Sequence, residues 1–145
     1  MSTISQPMTQ DHRRCDDLFI GMEQALMKSD WDKAKRLAGE FTAGMRQHFS
    51  VEEERLFPAL EQASGQTDGP IRVMTMEHDQ MRHLMNNLLV AVEEHAKAQC
   101  LGIAETLLVT MQQHNMKEEN VLYPMADRML PESATEITAQ LVEPA

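Results

Sequence analysis

Hydrophobic positions recur with a helical period along almost the whole chain. Apolar residues are spaced three and four apart, which places them on one face of an α-helix. The first stripe runs from about Thr9 to Lys28, and the second begins near Trp31. Between them, Ser29 and Asp30 offer a break and an N-cap. Strand patterns are almost absent, so the sequence predicts an all-α protein.

Two further helices are predicted in the second half. The stretch "SGQTDGP" at 64–70 is the clearest loop, and its final proline suits the first position of a third helix. A fourth helix is expected from about Ala98. Pro58 and Pro124 lie late in the second and fourth helices and are expected to kink or end them. Short connections between neighbours predict an antiparallel four-helix bundle built from two helical hairpins.

The chain repeats one phrase, "QHFSVEEERLFP" at 47–58 and "QHNMKEENVLYP" at 113–124. A shift of 66 residues aligns both halves without a gap, and each half then carries one histidine on its first helix and His-x-x-x-Glu on its second. Chance likeness between amphipathic helices would not match histidine and glutamate together on apolar stripes. Duplication, or a shared structural demand, explains the pattern better. The matched pairs are His12 with His78, His48 with His114, and Glu52 with Glu118.

Length and charge exclude several classes of protein. We expect one domain over the 145 residues, with the bundle at about 8–130 and a C-terminal extension at 131–145, where a short helix is weakly indicated.

The net charge of −10 argues against nucleic-acid binding, and no apolar run is long enough to span a membrane. The start "MSTISQPMTQ" does not resemble a signal peptide, and the two cysteines are far apart. The expected compartment is the cytoplasm.

Four imidazoles and two carboxylates fall on the apolar stripes and need partners inside. Residues four apart lie about 40° apart around a helix, so His48 and Glu52 point the same way. Each buried polar group without a partner costs roughly 2–7 kcal/mol, against a total stability of about 5–15 kcal/mol. A hydrogen-bonded network without metal is one answer. Two metal ions, each with two imidazoles and bridged by the glutamates, are the simpler one, and this donor set suits iron, manganese or zinc.

The arrangement H…H-x-x-x-E…H…H-x-x-x-E resembles the hemerythrin-like (HHE cation-binding) domains over roughly residues 8–130. The resemblance implies a non-haem di-iron centre with an oxo or hydroxo bridge inside a four-helix bundle, and an open position for a small molecule. Manganese or zinc is less expected than iron. The implied ligands are His12, His48, His78, His114, Glu52 and Glu118.

One position departs from the oxygen-carrying hemerythrins. Those proteins have a fifth histidine one turn after the first on the third helix, and this position is Arg82 here. His83 is expected at the surface. The departure argues against reversible oxygen carriage.

Four further polar residues are candidates near the metal ligands. Arg82 aligns with Asp16 under the 66-residue shift, and we favour an ion pair between them. The alternatives are that Asp16 is a ligand or that Arg82 caps an exogenous anion. Glu53 and Glu119 follow the bridging glutamates and are either acceptors for imidazole N–H groups or plain solvated acids.

Several other reactive residues have no clear role in the sequence. Tyr123 lies within two turns of Glu118, but neither Tyr123 nor His95 has a partner that the pattern identifies. Cys15 and Cys100 are expected to be buried structural thiols.

The expected function is binding of a small oxidant, oxygen or nitric oxide, for sensing, storage or redox response. The alternative is a di-iron enzyme that reduces peroxide, oxygen or nitric oxide, with Arg82 or Tyr123 assisting. A third hypothesis is repair of damaged iron–sulfur centres. It is set aside because the repair proteins carry a cysteine-containing N-terminal segment, whereas about ten residues without cysteine precede His12. No protein partner is indicated.

Overall fold

The computed structural model describes residues 3–65 and 69–142. Nearly all of these residues are helical and none of them is in a strand, which confirms the all-α class. The α-helices are α1 (Ser5–Met27), α2 (Trp31–Val51), α3 (Phe57–Ser64), α4 (Pro70–Glu93), α5 (Lys97–Lys117), α6 (Tyr123–Met129) and α7 (Ala134–Val142). Two π-helical segments, Glu52–Leu56 and Glu118–Leu122, join α2 to α3 and α5 to α6.

The starts of α2 and α4 follow from their local sequences. The Asp30 carboxylate accepts a hydrogen bond from the backbone N–H of Lys33 at 3.3 Å, as an N-cap residue does. Helix α4 begins at Pro70, whose missing N–H is not needed in the first turn. Gly69 precedes it with φ of 90°, a backbone conformation that glycine adopts without strain.

The four long helices contact each other in a ring, because α1 packs on α2 and α5, and α4 packs on the same two helices. Their shared interior contains two apolar clusters. One includes Phe19, Phe41 and Met85, and the other includes Leu56 and Tyr123. The predicted ligands lie between these two clusters: on α1, for example, Met8 of the second cluster and Cys15 of the first lie on either side of His12 along the helix.

Pro58 and Pro124 do not end the helical run. Each follows a π segment, in which the N–H of Phe57 donates to the carbonyl of Glu52 and the N–H of Tyr123 donates to that of Glu118. A proline inside an α-helix removes one hydrogen bond and clashes with a carbonyl four residues back. The wider π turn accommodates this defect, and such turns are frequent at functional sites. Both π segments begin at a predicted bridging glutamate.

The weakly indicated helix after Pro131 is α7, which packs on α1 and α2. None of the helices within the described residues combines the length and apolar character needed to cross a membrane.

Candidate metal centre

The structure brings the six predicted ligands together in the interior. Each of them is at most 5% exposed. Their donor atoms form two convergent groups, and within each group all the atoms lie within 4.8 Å of one another. One group consists of Glu52, His78, His114 and Glu118, and the other of His12, His48 and Glu118.

The two oxygens of Glu52 face histidines from different halves of the chain. Oε1 lies 2.9 Å from Nε2 of His78, and Oε2 lies 3.5 Å from Nε2 of His48. Glu52 therefore has the position that a bridging carboxylate needs.

Glu118, which belongs to the second half of the chain, likewise faces one histidine of each half. Its Oε1 lies 3.0 Å from Nε2 of His12, and its Oε2 lies 3.3 Å from Nε2 of His114. The imidazoles are paired accordingly, with ring centroids 4.6 Å apart for His12 and His48, and 4.9 Å apart for His78 and His114.

The group of Glu52, His78, His114 and Glu118 is better explained by a bound metal ion than by hydrogen bonds among its members. Within the part of the chain that the structure describes, four buried side-chain atoms have no hydrogen-bond partner: Oε1 of Glu52, Nε2 of His78, Nε2 of His114 and Oε2 of Glu118. Two of these atoms approach to 2.9 Å, but without the angles of a hydrogen bond. Leaving such atoms unpaired costs free energy, and a cation shared among them would satisfy all four.

Glu53 and Glu119 lie behind two of the imidazoles. Oε2 of Glu53 is 2.7 Å from Nδ1 of His78, and Oε2 of Glu119 is 2.7 Å from Nδ1 of His12. A carboxylate at Nδ1 fixes the ring and turns Nε2 toward the centre.

Sequence reasoning missed two equivalent carboxylates. Oδ2 of Asp11 is 2.8 Å from Nδ1 of His48, and Oε1 of Glu77 is 2.9 Å from Nδ1 of His114. The sequence held a signal for them, since Asp11 and Glu77 each precede a predicted ligand and are themselves 66 residues apart. Each of the four central imidazoles thus has its own acidic partner.

The expected ion pair between Asp16 and Arg82 does not form. Arg82 instead donates to both oxygens of Glu53, at 2.9 and 2.7 Å, and to Asp79 at 3.0 Å. The physical reason is that Glu53 is already fixed by His78 within reach of Arg82. Asp16 also lies outside both convergent groups of donors among the described residues. Burial raises the pKa of Asp16, His12 opposes this rise, and the charge of Glu119 adds to it.

Two more of the outer carboxylates have cationic neighbours. Nε of Arg14 donates to Oδ1 of Asp11 at 2.8 Å, and Lys117 pairs with Glu77. Arg14 and Lys117 thus help to keep these two carboxylates in place beside the imidazoles of His48 and His114.

Burial and opposite charge shift the pKa values of the central groups in opposing directions. Burial disfavours the charged form of His48, but Glu52 and the hydrogen bond to Asp11 outweigh it and raise its pKa to about 10. Burial is similarly outweighed at His78 by the neighbouring carboxylates of Glu52 and Glu53, and its pKa rises to about 9. Without a metal, the site therefore holds protons on imidazoles, and a metal ion would have to displace them.

Tyr123 is a central residue whose partners the sequence did not reveal. Its buried hydroxyl donates to Oε2 of Glu52 at 2.6 Å and lies 3.0 Å from Oε1 of Glu118. The same hydroxyl is 3.2 Å from Nε2 of His12 and 3.1 Å from Nε2 of His48.

The remaining candidates lie outside this centre. His95 stacks on Trp31 with ring centroids 4.6 Å apart, and His83 is exposed as expected. Cys15 and Cys100 are buried free thiols. Burial raises the pKa of Cys15 to about 12, which keeps it protonated and unreactive.

Curated relatives share part of this chain. The protein is 38% identical over 89 residues to the iron-sulfur cluster repair protein YtfE of Escherichia coli O1:K1 / APEC, of E. coli strain SMS-3-5 / SECEC and of Escherichia fergusonii. The match covers 54% of this chain and only 40% of each relative. No solved structure matches the chain significantly.

The match to a protein family is more extensive. Residues 3–126 match the family described as the hemerythrin HHE cation binding domain, and this span contains both halves of the repeat and all six predicted ligands. The chain therefore belongs to the hemerythrin HHE cation-binding domain family.

Proposed function

We propose that this chain is a non-haem di-iron protein that binds a small oxidant, oxygen or nitric oxide, for sensing, storage or redox response. One observation carries the proposal: the two oxygens of Glu52 face histidines of different halves, and Glu118 does the same. A carboxylate placed in this way is suited to bridge two ions rather than to hold one.

The proposed ligands are assigned by their pairing. His12 and His48 would hold one ion, His78 and His114 would hold the other, and Glu52 and Glu118 would bridge them. Two imidazoles with carboxylate oxygens and open positions are typical of non-haem iron, and helix bundles commonly hold pairs of iron ions with such side chains. The bound iron would supply the redox chemistry and the affinity for a small molecule.

The protein residues would orient the ions and keep their surroundings dry. Carboxylates at Nδ1 of each imidazole fix the four rings, while Phe49 stacks on His78 with centroids 4.0 Å apart. Phe57 covers the same ring at 5.7 Å.

The fold and location form part of the same proposal. The ring of contacts among α1, α2, α4 and α5 supports an antiparallel four-helix bundle of two hairpins, with 1–145 as one domain. The buried free thiols Cys15 and Cys100 are compatible with a cytoplasmic location, where cysteines stay reduced.

An optical experiment tests the proposed function. The protein is loaded with ferrous iron without oxygen, oxygen or nitric oxide is admitted and then removed, and the spectrum is followed. A coloured adduct that disappears on removal supports a binding or sensing role. Prompt irreversible oxidation followed by peroxide turnover would contradict it and favour the enzyme.

A second candidate function comes from the relatives. The proteins named for iron–sulfur cluster repair share 38% identity over the matched 89 residues, which returns the repair hypothesis that the sequence analysis set aside. Under this hypothesis the chain would give up ferrous iron readily. Loss of iron to a weak ferrous chelator within minutes, without any oxidant, would favour repair, whereas retention would favour oxidant binding.

A further inference from the structure

Tyr123 makes the two halves of the centre different. The 66-residue shift aligns it with Phe57, so one half has a phenol where the other half has a phenylalanine ring without a hydroxyl. Tyr123 is fully buried and directed at the side that contains His12 and His48. Phe57 stacks on His78 and offers no donor atom to the opposite side.

The distances around the Tyr123 oxygen match the edges of a coordination shell. Donor atoms about 2.1 Å from one ion and at right angles to each other are about 3 Å apart. The Tyr123 oxygen lies 3.2 Å from Nε2 of His12 and 3.1 Å from Nε2 of His48. It also lies 3.0 Å from Oε1 of Glu118, which is itself 3.0 Å from His12.

Hydrogen bonds explain this cluster only while the imidazoles are protonated at Nε2. The phenol has one proton, and it is donated to Glu52 at 2.6 Å. That proton cannot also be donated to Oε1 of Glu118, and Nε2 of His12 and Nε2 of His48 can donate to the phenol oxygen only while they carry protons, which a bound metal ion displaces. An ion at the middle of the cluster would satisfy all of them together.

We propose that Tyr123 is a seventh protein ligand and binds the ion held by His12 and His48. This inference rests on the proposed di-iron function. As the oxygen–metal bond forms, the phenolic O–H bond breaks and the proton leaves to solvent. The ion held by His78 and His114 has no such ligand, and it is the one that binds the exogenous small molecule.

The asymmetry in unpaired atoms supports this assignment. Among residues 3–65 and 69–142, the four buried side-chain atoms without a hydrogen-bond partner all belong to the group of Glu52, His78, His114 and Glu118. On the other side, Nε2 of His12 and Nε2 of His48 both contact the Tyr123 hydroxyl. The two ions would therefore differ, with one more protein donor at the first than at the second.

The test is spectroscopic and does not depend on activity. The chain contains one tyrosine, so any tyrosinate signal comes from Tyr123. We expect the protein with two ferric ions to show a visible phenolate-to-iron charge-transfer band, with tyrosine ring modes in its resonance Raman spectrum. Tyr123→Phe should keep two ions and lose this band. A wild-type protein with two ferric ions and no tyrosinate modes would overturn the ligand assignment.

The number of nitric oxide molecules bound per chain measures how many iron coordination positions are open. The ferrous wild-type protein should bind one nitric oxide per chain, and Tyr123→Phe, which opens the first ion, should bind two. Two nitric oxide molecules per wild-type chain would overturn the proposed asymmetry. Fewer than two ions in the wild-type protein would instead count against the di-iron function, so the two failures are distinguishable.

Discussion

The carboxylate of Glu53 joins His78 to Arg82, with 2.7 Å between Oε2 and Nδ1 of His78 and 2.7 Å between Oε1 and the nearest Arg82 nitrogen. The equivalent carboxylate of the other half, Glu119, contacts His12 in the same way. Its neighbour at the position of Arg82 is the acidic Asp16. The surroundings of the two imidazoles thus differ in charge although their first contacts match.

Arg82→Ala should weaken retention of metal. The substitution frees Glu53 to move and lets His78 lose its fixed orientation, and changes of this kind typically cost about 10–100-fold in affinity. Competition with a chelator of known affinity measures the effect. Arg46→Ala is the matched control, because Arg46 donates to Asn86 at the surface. Equal affinities for both variants would show that Arg82 does not position the ligand.

Asp11→Asn tests the carboxylate that sequence reasoning missed. An amide oxygen can still accept from Nδ1 of His48, but the negative charge that makes the imidazole a stronger ligand is lost. We expect metal affinity to fall at least about tenfold, measured by the same competition. Asp17→Asn, an exposed change on the same helix, should leave affinity unchanged. A wild-type affinity in Asp11→Asn would mean that its bond to His48 has no influence on the metal.

The stability of the metal-free protein should depend on Glu53 in acid. Burial raises the pKa of Glu53, but hydrogen bonds from His78 and Arg82 outweigh it and lower the pKa from 4.5 to about 2. Because the folded-state pKa is depressed, the contribution of Glu53 is present above pH 4.5 and is lost as the pH falls through 2. After screening at this partly exposed position, it amounts to about 1 kcal/mol.

Urea unfolding of metal-free wild type and Glu53→Gln measures this dependence. The difference in unfolding free energy should shrink as the pH falls from 4.5 toward 2. The neighbouring exposed change Glu54→Gln should show no such trend. A difference between wild type and Glu53→Gln that is independent of pH would contradict the assignment.

Phe41→Ala should separate stability from metal binding. Phe41 is fully buried in the cluster away from the centre and meets Phe19 edge to face, with centroids 5.4 Å apart. Its removal leaves a cavity that costs about 3–5 kcal/mol, measured by urea unfolding. The folded fraction should still bind two ions per chain. Val109→Ala, at a half-exposed position, is the control, and a loss of ions from folded Phe41→Ala would refute this separation.

The convergence of the six central side chains was predictable because it depends on simple helix geometry. Histidine and glutamate four residues apart share a face, and the 66-residue repeat indicates which faces meet. The same repeat could have identified Asp11 and Glu77, which match under the shift just as Glu53 and Glu119 do. Arg82 was assigned the wrong partner because the shift pairs residues that are equivalent, and equivalence does not require contact.

Tyr123 could not be placed from α-helical geometry. Five residues after Glu118, it would lie about 140° away around a regular α-helix. The π segment Glu118–Leu122 changes this direction, because its hydrogen bonds close over five residues instead of four. The hydroxyl then lies 3.0 Å from Glu118. Nothing in the sequence pattern marks this segment except Pro124, which we expected to kink or end the helix.

The number of metal ions per chain decides whether these side chains hold a bridged pair of ions. The protein is loaded with ferrous iron without oxygen, freed of excess iron and analysed for iron per chain. We expect two ions per chain for the wild type and for the exposed control His83→Ala, and at most one for His114→Ala. A wild type that binds one ion or none after full loading, or a His114→Ala variant that keeps both, would contradict a bridged pair of ions held by these residues.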